Sequence, residues 1–336
     1  VKNYIIRRLL LMIPTLFGIS LVCFILIQFV PGGPVEEYIS RARQANSGKG
    51  SSMARISPEE VAHIKAYFGF DKPAPIRYLN WVGNVARGDL GKSYAYQEPV
   101  LHVILSKMPI SIFFGLTSFL LSYMVCIPLG VAKAMRHRSL FDSLSSIVIF
   151  GGYVMPGYAL GIILIVFLGG GSYLNLFPIS GIISDQFEEL TLGGKILDFL
   201  HHMVLPMFCY MISEFALLTM IMKNSLLDEL GKDYMRTALV KGASLKTAMW
   251  KHALRNALIP IATRASEIFT LMFAGSVLIE RVFDIDGMGL LFFNSTVNRD
   301  YNVVLGIILL SSIMGLVGRL FADFLYVVVD PRIRLQ

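Results

Sequence analysis

The sequence predicts an all-α integral membrane protein of six transmembrane helices, with a small extracytoplasmic subdomain between the first and the second. Three observations carry that expectation. Of 336 residues, 55% are hydrophobic and only 16% are charged, against about a quarter charged in a soluble chain. Six apolar stretches are long enough to cross a bilayer. Lysine and arginine gather in alternate connections, the signature of a multi-pass topology.

The elements follow in chain order. Lys2, Arg7 and Arg8 precede an apolar run over residues 9–30. It reads as a retained anchor rather than a cleaved leader, because no small-x-small site follows and the run is roughly twenty residues long. Pro31-Gly32-Gly33-Pro34 marks its exit. Residues 31–108 form the expected outer subdomain. Arg41 to Ser57 is polar and Gly/Ser-rich, a composition that predicts mobility. Ser57-Pro58-Glu59-Glu60 carries the start signals of a helix that reaches Phe68 and stops at Gly69. A second short helix is expected from Pro75 to Ala86. Further spans are expected at 110–133, 141–169, 203–222, 258–280 and 302–328. Prolines 14, 128, 156, 206 and 260 fall in or beside these spans, a frequency that packed membrane helices tolerate. Gly157 and Gly161 form a G-x-x-x-G that can admit a close neighbour. Cys23, Cys126 and Cys209 stand far apart in apolar runs and read as small fillers, not as a disulfide framework or metal site. His201 and His202 are adjacent, so they point to different faces of a helix, and an interfacial role is expected over metal ligation.

The net charge of +7 raises the question of nucleic acid, and its distribution answers it. Lys2, Arg7, Arg8, then Lys133, Arg136, Arg138, then the crowded stretch from Lys223 to Arg255, and finally Arg332 and Arg334 all fall on one side of the expected spans. The short loops on the other side are acidic: Asp185, Glu188, Glu189 and Asp198 in one, Glu280, Asp284, Asp286 and Asp300 in the other. Both termini are therefore expected in the cytoplasm, and no nucleic-acid partner is expected.

The segment 225–257 is too polar for lipid yet ordered in its signals. Asp233 is placed to cap a helix bearing Tyr234, Arg236, Thr237, Ala238 and Lys241. Gly242 supplies a turn that few other residues accept, and Ser244 can cap a second helix that runs through His252 toward Pro260. Two short helices meeting at a tight corner make a knob that fits a groove on another protein. The alternative is an amphipathic stretch lying on lipid headgroups.

These residues carry a resemblance. Tyr234-Met-Arg-Thr-Ala-Leu-Val-Lys-Gly242 followed by His252-Ala-Leu-Arg-Asn256-Ala-Leu-Ile-Pro260 resembles the conserved cytoplasmic loop of ABC importer permeases, with Arg236-Thr237-Ala238 where Glu-Ala-Ala gives the motif its name. That departure is the form usual in the peptide-transporting branch. Ile6 to Thr15, Phe68 to Pro73, Arg77 to Trp81, Gly88 to Ser93, Phe283 to Gly289 and Val329 to Arg332 resemble the same branch, so the likeness covers nearly the whole chain. It is closest to oligopeptide permeases of Gram-negative bacteria, including those that admit the peptide antibiotic microcin C. The resemblance implies a type I importer permease fold: a first helix (1–30), a periplasmic subdomain (31–108) and a five-helix core (109–336) holding the 225–257 coupling loop. It also implies a bacterial inner membrane location, a second homologous permease, two cytoplasmic ATPase subunits or one fused ATPase, a periplasmic binding protein and a peptide cargo. No cofactor is implied in this chain; ATP and magnesium belong to the partner ATPases. Nickel and glutathione importers share the same pattern.

Charges inside spans are costly and draw attention. Glu214 falls in the fourth expected span, and Arg264 and Glu267 fall a turn apart in the fifth. One reading is a translocation path whose charges meet peptide termini. The other is an ion pair of Arg264 with Glu267 or Glu214; Glu214 is favoured as cavity-facing. Trp81, Tyr94 and Tyr96 read equally as headgroup anchors and as a docking surface for the binding protein. Gly91-Lys92-Ser93 evokes a phosphate-binding loop, but that motif needs a glycine where Ala86 stands, so the stretch reads as a turn. An ion-driven transporter or channel would predict more intramembrane carboxylates and an inverted repeat. An intramembrane enzyme would need a nucleophile with its base or a metal motif. Neither pattern is present in the sequence.

Overall fold

A computed structural model of the chain describes residues 2–29, 71–170, 173–265 and 267–329, together with the isolated positions 33, 35, 36, 39, 61, 62 and 66. Of the expected helix from Ser57 to Phe68 only positions 61, 62 and 66 are described, each helical, and the polar stretch 41–57 lies outside the described residues. Those described are helical, without strands beyond one bridge between Lys92 and Pro99.

Among the described residues, four helices are long and apolar enough to span a bilayer. They are α1 (Lys2–Phe29), α3 (Val100–Met135), α6 (Leu192–Leu230) and α14 (Tyr301–Val329). The short α2 (Ala74–Val85) matches the helix expected in the outer segment. Thr191 starts α6, its Oγ1 accepting from the Gly194 amide at 3.3 Å. The helix then runs 39 residues, well past both ends of the expected span and through Pro206.

Two expected spans are not single helices. The third divides into α4 (Leu140–Val154) and α5 (Gly157–Leu168), bent by 96°. The cause is Pro156: proline has no N–H to donate and pushes the preceding residue out of the helical region, and Met155 is extended, with ψ 121. Apolar composition alone did not reveal the break. The fifth divides into α10 (Ile259–Arg264), α11 (Glu267–Ala274) and α12 (Val277–Phe283). Between the last two, Gly275 adopts φ +63, where a Cβ would fall 2.2 Å from the Glu280 carboxylate. No other residue fits there. The remaining short helices are α7 (Asp233–Val240), α8 (Leu245–Ala248), α9 (Leu254–Ala257) and α13 (Met288–Val297).

The chain forms two compact units. The first holds residues 1–9, 110–290 and 314–336. One of its apolar clusters joins Cys126, Val131 and Ala134 of α3 with Leu218, Met222 and Leu226 of α6 and with buried residues of 235–261. Another gathers Phe114, Met203, Cys209 and Tyr210 with Ile279 and Phe283 of α12. Gly161 lets α5 approach Phe283 so closely that a Cβ would sit 2.9 Å from the ring, the close contact expected of the G-x-x-x-G. Cys126 and Cys209 are buried packing residues. The second unit holds residues 10–109 and 291–313. Phe24 of α1, Tyr78 of α2 and Leu305 of α14 form one apolar cluster in it, with Trp81 packed against them.

Two of the acids counted in the short acidic loops are buried. Glu280 is fully buried and its Oε1 accepts from Tyr210 OH (3.0 Å), Ser111 Oγ (3.2 Å) and the Ser276 amide (3.2 Å), while Oε2 accepts from the Leu290 amide (2.9 Å). Asp300, also buried, accepts from Ser93 Oγ (2.5 Å) and the Ala95 amide (3.0 Å). A buried carboxylate needs such donors to offset its lost hydration. These two acids hold loops in place rather than facing water.

Candidate functional site

The segment 225–257 folds as a stiff corner. α7 ends at Val240, and the Gly242 and Ala243 amides turn back to the Leu239 and Ala238 carbonyls at 2.9 and 3.2 Å. Gly242 has φ +89, and no atom lies within 4 Å of where a Cβ would be. Its constraint is thus one of backbone conformation, not of space. Ser244 caps α8 as expected, accepting from the Thr247 amide at 3.2 Å. Asp233 does not cap α7: Lys232 occupies the cap position without a side-chain bond, and Asp233 is the first helical residue. α8 continues through a wide π turn, Met249–Ala253, into α9. That turn directs Met249 and Ala253 inward, where they join Met235, Ala248 and Ala257 in the core with α3 and α6. Burying a methionine contributes about 2 kcal/mol, so the corner is part of the first unit's core.

A second tie was not apparent in the sequence. Glu229, near the end of α6, is buried and accepts from Lys232 Nζ at 2.5 Å, from Tyr234 OH and from Asn256 Nδ2 at 3.3 Å. One carboxylate thereby links α6, α7 and α9. Burial pushes this carboxyl up, yet the hydrogen bonds from Lys232, Tyr234 and Asn256 outweigh it and hold the group below its ordinary value. Burial and the bond to Glu229 push the Tyr234 phenol up to about 12. The sequence signal was Tyr234 standing five residues after an acid at a helix end.

The outward face of the corner is different. Val240 is 89% exposed, with Leu239 and Leu245 exposed beside it. Arg236, Thr237, Lys241, Gly242 and Ser244 are exposed around them. An apolar tip ringed by cations, on a rigid support, suits insertion into a protein groove.

Behind the corner lies a buried charge cluster. Asp142, in the first turn of α4, receives Lys223 Nζ of α6 at 2.7 and 2.8 Å on its two oxygens, and Lys133 Nζ of α3 lies 3.2 Å away. Lys133 is fully buried and also donates to Ser145 Oγ (2.6 Å) and Ser146 Oγ (2.9 Å). Three helices are joined here by charge.

The intramembrane charges resolve in part. Arg264 Nη2 meets Glu214 Oε2 at 3.0 Å, and the Glu214 side chain is 46% exposed. Glu267 opens α11, and its side chain lies outside those described. His202 Nδ1 lies 2.8 Å from the Asp198 carbonyl and His201 Nε2 2.6 Å from the Leu176 carbonyl. In the second unit, Trp81 and Tyr94 line one cavity, whereas Tyr96 is exposed on the surface. The Gly91-Lys92-Ser93 stretch, expected as a turn, is extended instead: Lys92 bridges to Pro99, Gly91 has φ +85 and Ser93 is bonded to Asp300.

Long apolar helices and spans broken at Pro156 and Gly275 define a multi-pass membrane protein. Comparison with known proteins agrees. Residues 126–335 match the family model of the binding-protein-dependent transport system inner membrane component, and residues 1–115 match the N-terminal model of such membrane components. The chain is 42% identical to the inner membrane ABC transporter permease protein YejB of Escherichia coli O157:H7, covering 99% of both chains. It is 40% identical to the peptidoglycan transport system permease protein YejB of Agrobacterium fabrum, covering 99% of this chain and 98% of that one. It is 34% identical to the oligopeptide transport system permease protein AppB of Bacillus subtilis, over 98% of each. The chain belongs to the family of binding-protein-dependent transport system inner membrane components, as a multi-pass ABC transporter permease.

Proposed function

We propose that this chain is the permease subunit of an ATP-driven importer that carries oligopeptides or peptide-like compounds across the inner membrane. Peptide, oligopeptide and peptidoglycan systems among its relatives support that cargo. In this reading the chain crosses the membrane six times, counting α4 with α5 and α10 to α12 as one broken span each, with both termini in the cytoplasm. It pairs with a second homologous permease. Two ATPase subunits, or one fused ATPase, bind ATP and magnesium and take the corner formed by Tyr234 to Ser244 into a cleft. A periplasmic binding protein delivers the cargo, with Tyr96 an exposed aromatic among the described residues of the outer segment. No residue of this chain acts in catalysis.

The Glu214–Arg264 pair supplies a handhold for zwitterionic cargo. A passing N-terminal ammonium takes over Glu214 and a terminal carboxylate takes over Arg264, so the pair opens and re-forms without leaving an orphan charge.

The observation that carries the reading is the exposed Leu239–Val240–Leu245 tip on a buried, hydrogen-bonded support. Val240→Asp tests it. At 89% exposure the substitution leaves folding intact, while a charge placed in an apolar cleft weakens ATPase docking about tenfold or more. Co-purification of the ATPase and peptide-stimulated ATP hydrolysis in vesicles both read the effect. Unchanged docking and uptake would refute the role given to the tip.

A further inference from the structure

In the first unit, the first turns of α1 and the last turns of α14 meet at a charged node. Tyr4 OH donates to Asp323 Oδ2 at 2.6 Å, and Arg8 Nη2 reaches the same oxygen at 3.2 Å. Arg8 Nε also donates to the Tyr4 hydroxyl at 2.9 Å. Asp323 is thus already engaged by α1. Arg319 stands four residues before it, on the same face of α14. Its side chain is exposed and makes no hydrogen bond or ion pair among the described residues. The other acids nearest in the sequence, Asp300 and Asp330, are 19 and 11 residues away. Ile6 and Leu9 of α1 and Phe321 and Phe324 of α14 are exposed in the same turns.

Depth makes this arginine unusual. Arg8 immediately precedes the apolar run of α1, so its partner Asp323 stands at the same level, at the edge of the lipid. Asp323 is also at the end of the apolar span Tyr301–Phe324, and Arg319 is one turn inside it, about 6 Å at 1.5 Å per residue. An unpaired charge is costly in hydrocarbon, and a long side chain at that depth reaches back to the headgroups. There a phosphate matches the guanidinium fork, and acyl chains cover the exposed apolar residues. Charge then selects among headgroups. Arg7, Arg8 and Arg319 are exposed cations against the single acid Asp323, a surplus that repels an ethanolamine ammonium. We propose that Arg319, with Arg8 beside it, holds the phosphate of an anionic phospholipid of the phosphatidylglycerol type. The proposal rests on the embedding of α1 and α14 in lipid, not on the cargo or on the docking of the Val240 tip.

The full-length chain in neutral detergent, and the complex that copurifies with it, are titrated with phosphatidylglycerol, phosphatidylethanolamine and inorganic phosphate. Native mass spectrometry counts the lipids retained. The expected result is one saturable phosphatidylglycerol adduct, held about tenfold more tightly than phosphatidylethanolamine. Arg319→Gln is expected to remove that preference, and Arg319→Lys to keep part of it. Glu267→Gln, in α11, whose Phe269 ring lies 5.3 Å from that of Phe321, should leave it unchanged. Equal retention of the two lipids would overturn the proposal, as would an Arg319→Gln variant with the parent's preference. A several-fold gain in Glu267→Gln would mean that an acid of the chain already holds the guanidinium, and would overturn it too. Full competition by inorganic phosphate would assign the site to a free anion, and loss of the adduct in the complex would assign it to a protein partner; either result also refutes the lipid site. The two-lipid comparison uses one protein, so misfolding of Arg319→Gln would not decide the outcome.

Discussion

At Asp142 one carboxylate meets two ammonium groups among packed helices, and each partner comes from a different element. Removing one member of such a buried cluster leaves charges unpaired, which costs about 3 kcal/mol or more. Asp142→Asn is expected to lower stability by that amount in detergent unfolding, and adding Lys223→Met should recover part of it by removing an orphan ammonium. A loss below about 0.5 kcal/mol, the range of an ordinary surface change, would mean the cluster does not hold the helices. Glu229 makes a pH prediction. Its folded-state value is depressed below the ordinary 4.5, so its contribution is complete above that value and disappears as the pH falls through the lower folded one. Stability of the parent should therefore decline in acid more steeply than that of Glu229→Gln, which has no proton to take up; parallel curves would count against the tie. Neither role could be read from the sequence. Asp142 looks there like any acid in a helix's first turn, because its partners stand at positions 133 and 223. The same distance hid Glu280 behind an acidic loop and Asp300 behind a motif 207 residues away.

The corner at Gly242 separates conformation from size. Nothing occupies the space around it, and only its φ of +89 restricts the residue. An L side chain there costs about 1–2 kcal/mol whatever its bulk, while asparagine tolerates positive φ better than most. Gly242→Ala and Gly242→Val are thus expected to uncouple ATP hydrolysis from uptake to a similar degree, with membrane insertion intact and Gly242→Asn milder than either. A graded loss that tracks side-chain volume would point to a packed site and contradict the free space. This corner was legible in the sequence because its signals are local: a glycine, a serine cap and apolar residues at helical spacing. The broken spans were legible only as apolar runs. Pro156 was visible but read as tolerated within a helix, since a packed membrane helix can absorb a proline; here the chain bends instead. The break at Gly275 depends on the close presence of Glu280, which local composition does not report.

For the molecule as a whole, α6 is the element that fixes direction. Its 39 residues rise about 58 Å at 1.5 Å per residue, more than the roughly 40–45 Å of a bilayer with its headgroups. One end joins the acidic stretch holding Asp185, Glu188 and Glu189, and the other leads directly into the lysine-rich corner through Glu229 and Lys232. A helix of that length, threaded through lipid, brings its two flanking segments out on opposite faces, and the proposed topology puts the cationic one in the cytoplasm. In a background with Cys23, Cys126 and Cys209 replaced, Glu188→Cys is expected to react with an impermeant maleimide added to intact cells. Val240→Cys should react only after the membrane is opened. Both substitutions fall on exposed side chains, so failure to label cannot be ascribed to burial in the chain itself. Under the proposed docking of the tip, adding the ATPase subunits should then shield Val240→Cys and leave Glu188→Cys unaffected. Labelling of Val240→Cys from outside would invert the topology and remove the corner from any nucleotide-driven partner.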